Sequence, residues 1–209
     1  MDRQFITVAL FSLYCVIYGS IRYFLEGDAW GFLHHNLWLG WLPLLVAGIV
    51  RWKDLSGYWL AACWVVWLIF LPNAPYIVTD LIHMRGITTL PWFDLILIFH
   101  FALAGLLAGA LALKWMQGAV SKALGQRKAI SLSVFAILLS GIGMAMGRDL
   151  RLKSEEVFSK PFEVWMNTFQ GFDATSLIKA AIYAGTFGVF YLVFLGLSGN
   201  RQSIATEDG

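Results

Sequence analysis

The side chains best suited to chemistry fall between Leu71 and His83, where the chain reads LPNAPYIVTDLIH inside an otherwise hydrophobic run that starts at Tyr58. On a period of 3.6 residues Tyr76, Thr79, Asp80 and His83 share one face, while Ile77, Val78, Leu81 and Ile82 take the other. Proline has no N–H, so Pro72 and Pro75 deprive the carbonyls of Leu68 and Leu71 of their usual donors and interrupt the helix there. Asn73 is read as the cap of a helix restarting at Ala74, with Pro75 tolerated in its first turn and an end near Met84. Asp94 follows at the head of the next apolar run, and Arg148 and Arg151 stand at the close of a later one. A carboxylate set into apolar sequence usually faces a bundle interior or a wet cavity. Asn73, Tyr76, Thr79, Asp80, His83, Asp94, Arg148 and Arg151 are therefore the candidate lining of a polar intramembrane pocket that binds or moves a small solute or protons.

Metal chemistry is weaker. His34, His35, Asp80 and His83, with Asp94 or His100, offer nitrogen and oxygen ligands, and Asp80 and His83 are one helical turn apart. Adjacent histidines on a helix do not converge on one ion, however, and no His-Glu-x-x-His appears, so no metal and no cofactor is expected. His100, inside an apolar run, reads as a neutral histidine hydrogen-bonded to a neighbouring helix. The sequence has no glycine-rich phosphate loop, no Gly-x-Ser-x-Gly elbow and no setting for a nucleophilic cysteine. Its two cysteines, Cys15 and Cys63, sit in separate apolar runs and read as packing residues.

These residues must be carried by membrane spans. Of 209 residues 59% are hydrophobic and 13% charged, about half the charge of a soluble domain. The apolar runs are Phe5–Ile21, Leu37–Val50 with a start as early as Phe32, Tyr58–Leu71 and its continuation, Phe93–Leu113, Ala129–Met146 and Leu177–Leu197. The expected fold is an all-α polytopic transmembrane bundle of about six spans, forming a single domain over residues 1–197, with 198–209 a disordered polar tail. Six crossings bring the termini to one side. The compact Lys/Arg turns at Arg51–Lys53 and Lys114–Lys128 favour the cytoplasm for that side and set Asp80 toward the outer face. The slight positive balance is spread over loops and gives no reason to expect nucleic acid as a partner.

Two further features bear on packing. Ser159, Pro161 and Gly171 bound a short helix near 159–170 whose Phe158, Phe162, Trp165, Met166 and Phe169 share a face, as in a helix lying in the membrane interface or closing the bundle mouth. Gly105-x-x-x-Gly109 and Gly143-x-x-x-Gly147 allow close helix approach, within the chain first and in a homo-oligomer second.

The run Pro72-Asn-Ala-Pro-Tyr-Ile-Val-Thr-Asp-Leu81, followed by Pro91-Trp-Phe-Asp94, resembles the signature of an uncharacterised bacterial integral-membrane family, a domain of unknown function, and the likeness covers most of the chain from Trp38 onward. It implies a bacterial cytoplasmic-membrane protein and names no activity. Where relatives follow a Gly-Arg pair with Arg-Trp-Asn-Ser-Trp-Asp, this chain departs, reading Gly147-Arg-Asp-Leu-Arg-Leu-Lys-Ser-Glu-Glu156. Three roles stay open: a permease-like handler of a solute or protons, an accessory or scaffold subunit with a membrane partner, and a membrane enzyme acting on lipid or envelope substrate. Small size, the lack of a visible inverted repeat and the presence of one interrupted span weigh against transport.

Overall fold

The structure, a computed structural model, describes residues 2–27, 30–85, 90–149, 159, 162, 166 and 173–207. Its helices are α1 (Arg3–Glu26), α2 (Gly31–Trp52), α3 (Gly57–Phe70), α4 (Asn73–Tyr76), a 3-10 helix (Ile77–Arg85), α5 (Pro91–Leu124), α6 (Gln126–Asp149) and α7 (Ala174–Glu207). Six of the described helical stretches are long and apolar enough to cross a membrane, α3 being counted with its continuation to Leu81 and α7 as far as Ser198. The protein is thus an all-α, six-span membrane bundle. The backbone of the polar stretch after Ser198 is helical to Glu207, while the expected helix at 159–170 lies outside the described residues apart from isolated positions.

Each helix has a local cause. The Asp2 carboxylate accepts from the Gln4 N–H at 2.9 Å and caps α1. Gly27 ends it at φ 83°, a conformation that favours glycine. Pro91 opens α5, where a missing N–H costs nothing. α5 then runs 34 residues, about 51 Å at 1.5 Å per residue, well past the hydrocarbon thickness. The expected loop at Lys114–Lys128 is therefore mostly helix, reduced to a turn at Gly125 (φ 88°) between α5 and α6. α2 likewise starts at Gly31, before the apolar run, and keeps Pro43 in its interior.

α5 is the axis of the bundle. Buried residues make up 61% of its most apolar stretch, against 22% for α1 and α7, so those two lie at the outside of the bundle. Around it lie two apolar clusters. Leu44, Trp67, Leu111, Trp115, Met116 and Phe187 occupy the half nearer the termini, and Cys15, Leu33, Leu37, Ile77, Ile98 and Phe101 the other.

Between α3 and the 3-10 helix the chain turns at Leu71-Pro72 and makes the single helical turn α4. The Asn73 side chain acts here as a donor, bonding the Phe70 carbonyl at 3.1 Å, and makes no N-terminal cap. The Leu71 carbonyl accepts from the Ala74 N–H at 3.1 Å and the Pro72 carbonyl from the Tyr76 N–H at 3.1 Å, so these backbone groups are met locally, as a low-dielectric setting demands. Glycines of three helices grip this turn. A Cβ on Gly40 of α2 would lie 3.3 Å from Ala74 Cα; one on Gly109 of α5 would lie 2.9 Å from Ala74 Cβ; and one on Gly143 of α6 would lie 2.7 Å from Pro72 Cγ. At Gly105 of α5 a Cβ would collide with the Ala74 carbonyl oxygen. Gly105 and Gly109 of one small-residue motif and Gly143 of the other thus serve packing within the chain. Gly141 does the same against Ala180 and Ala184 of α7.

Candidate functional site

The segment after α4 is a 3-10 helix and not the expected α-helix, which changes which side chains share a face. With three residues per turn, Ile77 and Asp80 stack in one row, and both point inward, 0% and 2% exposed. Thr79 is also buried, its hydroxyl spent on the Tyr76 carbonyl at 2.8 Å. Of the expected face of Tyr76, Thr79, Asp80 and His83, Thr79 and Asp80 are buried and Tyr76 is half-buried. The side chain of His83 and the whole of Arg151 lie outside the described residues.

Two other elements reach Asp80. Asn36, on the first turns of α2, donates from Nδ2 to Asp80 Oδ2 at 2.7 Å. Arg148, in the last turn of α6, places Nη1 3.6 Å from Asp80 Oδ1 with its side chain 20% exposed. That separation makes an ion pair and is too long for a good hydrogen bond. A cation in the last turn of a helix is also favoured by the helix dipole.

Asp94 belongs to a different pair. Its carboxylate accepts from Arg22 Nε at 2.6 Å and Nη2 at 3.2 Å, and the two side chains are 0% and 3% exposed. This two-point contact ties the end of α1 to the first turn of α5, where the helix N-terminus adds its own stabilisation of the carboxylate. Among the described residues Asp94 thus pairs with Arg22 and Asp80 with Arg148. Arg22 was not legible as a site residue, because it reads as an ordinary flanking charge after Phe5–Ile21. The available signal was a lone arginine closing one span and a lone aspartate opening another at the same membrane end. Asn36 gave a similar hint, as an amide beside the start of an apolar run.

The histidines whose side chains are described do not converge. The His34 ring nitrogen Nε2 lies 3.2 Å from the Val16 carbonyl, with the ring seated over Gly19 and edge-on to Phe101. His35 is exposed. His100 meets Phe11, Tyr14 and Tyr18 through ring edges, and its Nδ1 has no hydrogen-bond partner among the described residues, so aromatic packing replaces the expected hydrogen bond. Among the described residues no three metal-ligating side chains gather.

Elsewhere the same end carries ordinary helix chemistry. Asp173 accepts from the Ser176 N–H at 2.8 Å and caps α7; that backbone bond holds its carboxyl below the usual range. Asp149 is engaged by Lys179 at 2.8 Å and by the Ser176 hydroxyl at 2.9 Å. The opposite end is laced by polar bonds that gather the N-terminus, α2, α5 and α7: Asp2 to Arg51 at 2.9 Å, Trp115 to Asp2 at 3.2 Å, Lys114 to Gln4 at 2.9 Å and Gln4 to Ser198 at 2.6 Å. Both termini of the bundle thus lie at one end, opposite Asp80.

Comparison with known proteins gives one match. The model of a family described as "Protein of unknown function (DUF1361)" matches residues 35–194. No curated protein and no solved structure matches the chain.

Proposed function

We propose that this chain, which belongs to the family of proteins of unknown function (DUF1361), binds or moves a small solute or protons through the charged cluster around Asp80. The observation that carries this reading is the contrast between the two ion pairs. Arg22 and Asp94 are dry, close and two-point. Arg148 and Asp80 are 3.6 Å apart, with the arginine one-fifth exposed and the carboxylate's short bond made by an amide. A sealed two-point pair suits a brace. A long pair with one member at the rim can be opened by a competitor at low cost, because the guanidinium keeps part of its hydration.

In this reading Pro72 and Pro75 are what stop the third span, and the resulting turn presents Asp80 on a 3-10 row. Tyr76, Thr79, His83, Arg148 and Arg151 border the solute, Asn73 stabilises the turn and Asp94 acts as the brace behind it. The protein sits in a bacterial inner membrane with cytoplasmic termini, so that the cluster faces outward, and a helix near 159–170 lies in the interface beside it. The scaffold reading has one observation in its favour: Asp80 is only 2% exposed, as in a structural pin. Complementation of a deletion strain separates the two. A functional Asp80 predicts that Asp80→Asn inserts and folds yet loses the phenotype. A pin predicts that Asp80→Asn loses folded protein in proportion to any loss of phenotype.

A further inference from the structure

We infer that the ligand of this cluster is an oxyanion, a carboxylate or phosphate group taken by the Arg148 guanidinium; this rests on the reading of the Asp80 cluster as a binding site. A guanidinium carries five N–H donors in a planar fork that matches a carboxylate or phosphate two at a time. Among the described residues Arg148 spends none of them in a hydrogen bond, its one charged neighbour being Asp80 at 3.6 Å. The adjacent acid cannot serve it, since Asp149 is turned to Lys179 and Ser176 of α7. Among the described residues Arg148 is thus a cation with unused donors beside the buried Asp80, its side chain 20% exposed. A cationic ligand would meet the opposite situation. It would have to reach a carboxylate that is 2% exposed, bonded to Asn36 and fronted by a guanidinium. The order of the charges from the surface inward, cation first and carboxylate behind, selects an anion.

Geometry also sets the mode of binding. An incoming oxyanion takes the outward N–H groups of Arg148 and competes with Asp80 for its charge, so the ligand and Asp80 are rivals for one cation. Removing the Asp80 charge should therefore tighten binding, roughly tenfold, a usual size for coupling between two groups that share a partner.

The test uses the full-length protein in neutral detergent and phenylglyoxal, which modifies accessible arginines, with peptide mass spectrometry to read each site. Inorganic phosphate and acetate are the probes. Protection of Arg148 by about tenfold is expected at ten times the dissociation constant, since only the free fraction reacts. Arg51, held by Asp2 at the opposite end with its side chain 46% exposed, should be unprotected. Asp80→Asn should shift the protection curve to lower concentration, and Arg148→Lys, which keeps the charge but not the fork, should bind phosphate more weakly by calorimetry. A second arm compares nanodiscs of phosphatidylcholine with nanodiscs containing phosphatidylglycerol. Protection only in the latter assigns the oxyanion to a lipid headgroup, and protection by free phosphate in both assigns it to a soluble solute. Equal reactivity of Arg148 with and without every anion overturns the inference, and so does equal protection of Arg51. If Arg148 is unprotected while Asp80→Asn still abolishes the phenotype, the oxyanion is wrong and the functional cluster survives. If Arg148 is protected and neither substitution alters the phenotype, the oxyanion is right and the proposed role is wrong.

Discussion

Removing either member of the Arg22–Asp94 pair should be among the most damaging single changes in the bundle. Asp94→Asn keeps the shape of the side chain but leaves a buried guanidinium, 3% exposed, facing a neutral amide. Two routes give the magnitude. Unit charges about 4 Å apart at an effective dielectric of about 20 attract by about 4 kcal/mol, and breaking one partner of a buried pair costs about 3–5 kcal/mol. Both exceed the ~1 kcal/mol of a surface bridge. Arg22→Met with Asp94→Leu removes both charges and fills similar volume, so the double variant should recover most of the loss. The assay is unfolding of the full chain in mixed micelles titrated with dodecyl sulfate, followed by the fluorescence of its 10 tryptophans. A cost below about 1 kcal/mol for Asp94→Asn would refute the reasoning. A double variant no better than the sum of the singles would refute it too, because additivity would mean that the groups do not interact.

Gly105→Ala should destabilise by about 1–3 kcal/mol, because its Cβ meets the Ala74 carbonyl and, at 2.9 Å, Ile77 Cδ1; Gly118→Ala in the same helix, with nothing within 4 Å, is the control and should be neutral or better in the same titration. Asp173→Ala should fray the first turn of α7, seen as faster amide exchange at Ser176 and Leu177. Because the folded Asp173 carboxyl is held below its ordinary value, its contribution is complete above the ordinary carboxylate range and is lost as pH falls through the lowered value, so acid should mimic the substitution in that exchange measurement. Single cysteines at positions 122 and 160, labelled in cells with a membrane-impermeant maleimide, should report position 160 outside and position 122 inside; the reverse pattern inverts the orientation and leaves the six spans intact.

Hydropathy made the six spans legible, since a run such as Phe93–Leu113 has few other places to go than lipid. It could not set their ends. Lys114 lies inside α5 because its Nζ reaches Gln4, and Gln4 in turn bonds Ser198 on another span, so the helix stays ordered beyond its apolar part. The prolines marked the third span as unusual, but nine residues do not distinguish a period of 3.6 from one of 3.0, so the 3-10 form of Ile77–Arg85 was not legible. Asp80 and Arg148 stood out as charges at the edges of apolar runs. Arg22 did not, because its meaning depends on Asp94, 72 positions away. The glycines were visible as close-packing signals; that several of them seat one four-residue helical turn was not, because spacing along one helix says nothing of what lies across it.

The difference between the two ion pairs follows from what each one joins. Arg22 and Asp94 link α1 to α5, the axis of the bundle, and the carboxylate sits in the first turn of α5, where backbone N–H groups already favour negative charge. The contact closes at two points. Asp80 is fixed by a different set of constraints. The turn that precedes it, Pro72 with α4, is clamped between Gly40, Gly105, Gly109 and Gly143, where a methyl group would force a shift, and Asn36 holds one carboxylate oxygen of Asp80. Arg148 comes from α6, which packs most extensively on α7 through Gly141 against Ala180 and Ala184, and it lies about 7.5 Å along the helix from the Gly143 contact at a rise of 1.5 Å per residue. A carboxylate held by backbone packing and a cation held by a long, partly solvated side chain cannot both be optimised from one end. In the proposed reading a competitor for the Arg148 guanidinium works against the longer of the two ion pairs, on a different helix from the Arg22–Asp94 brace.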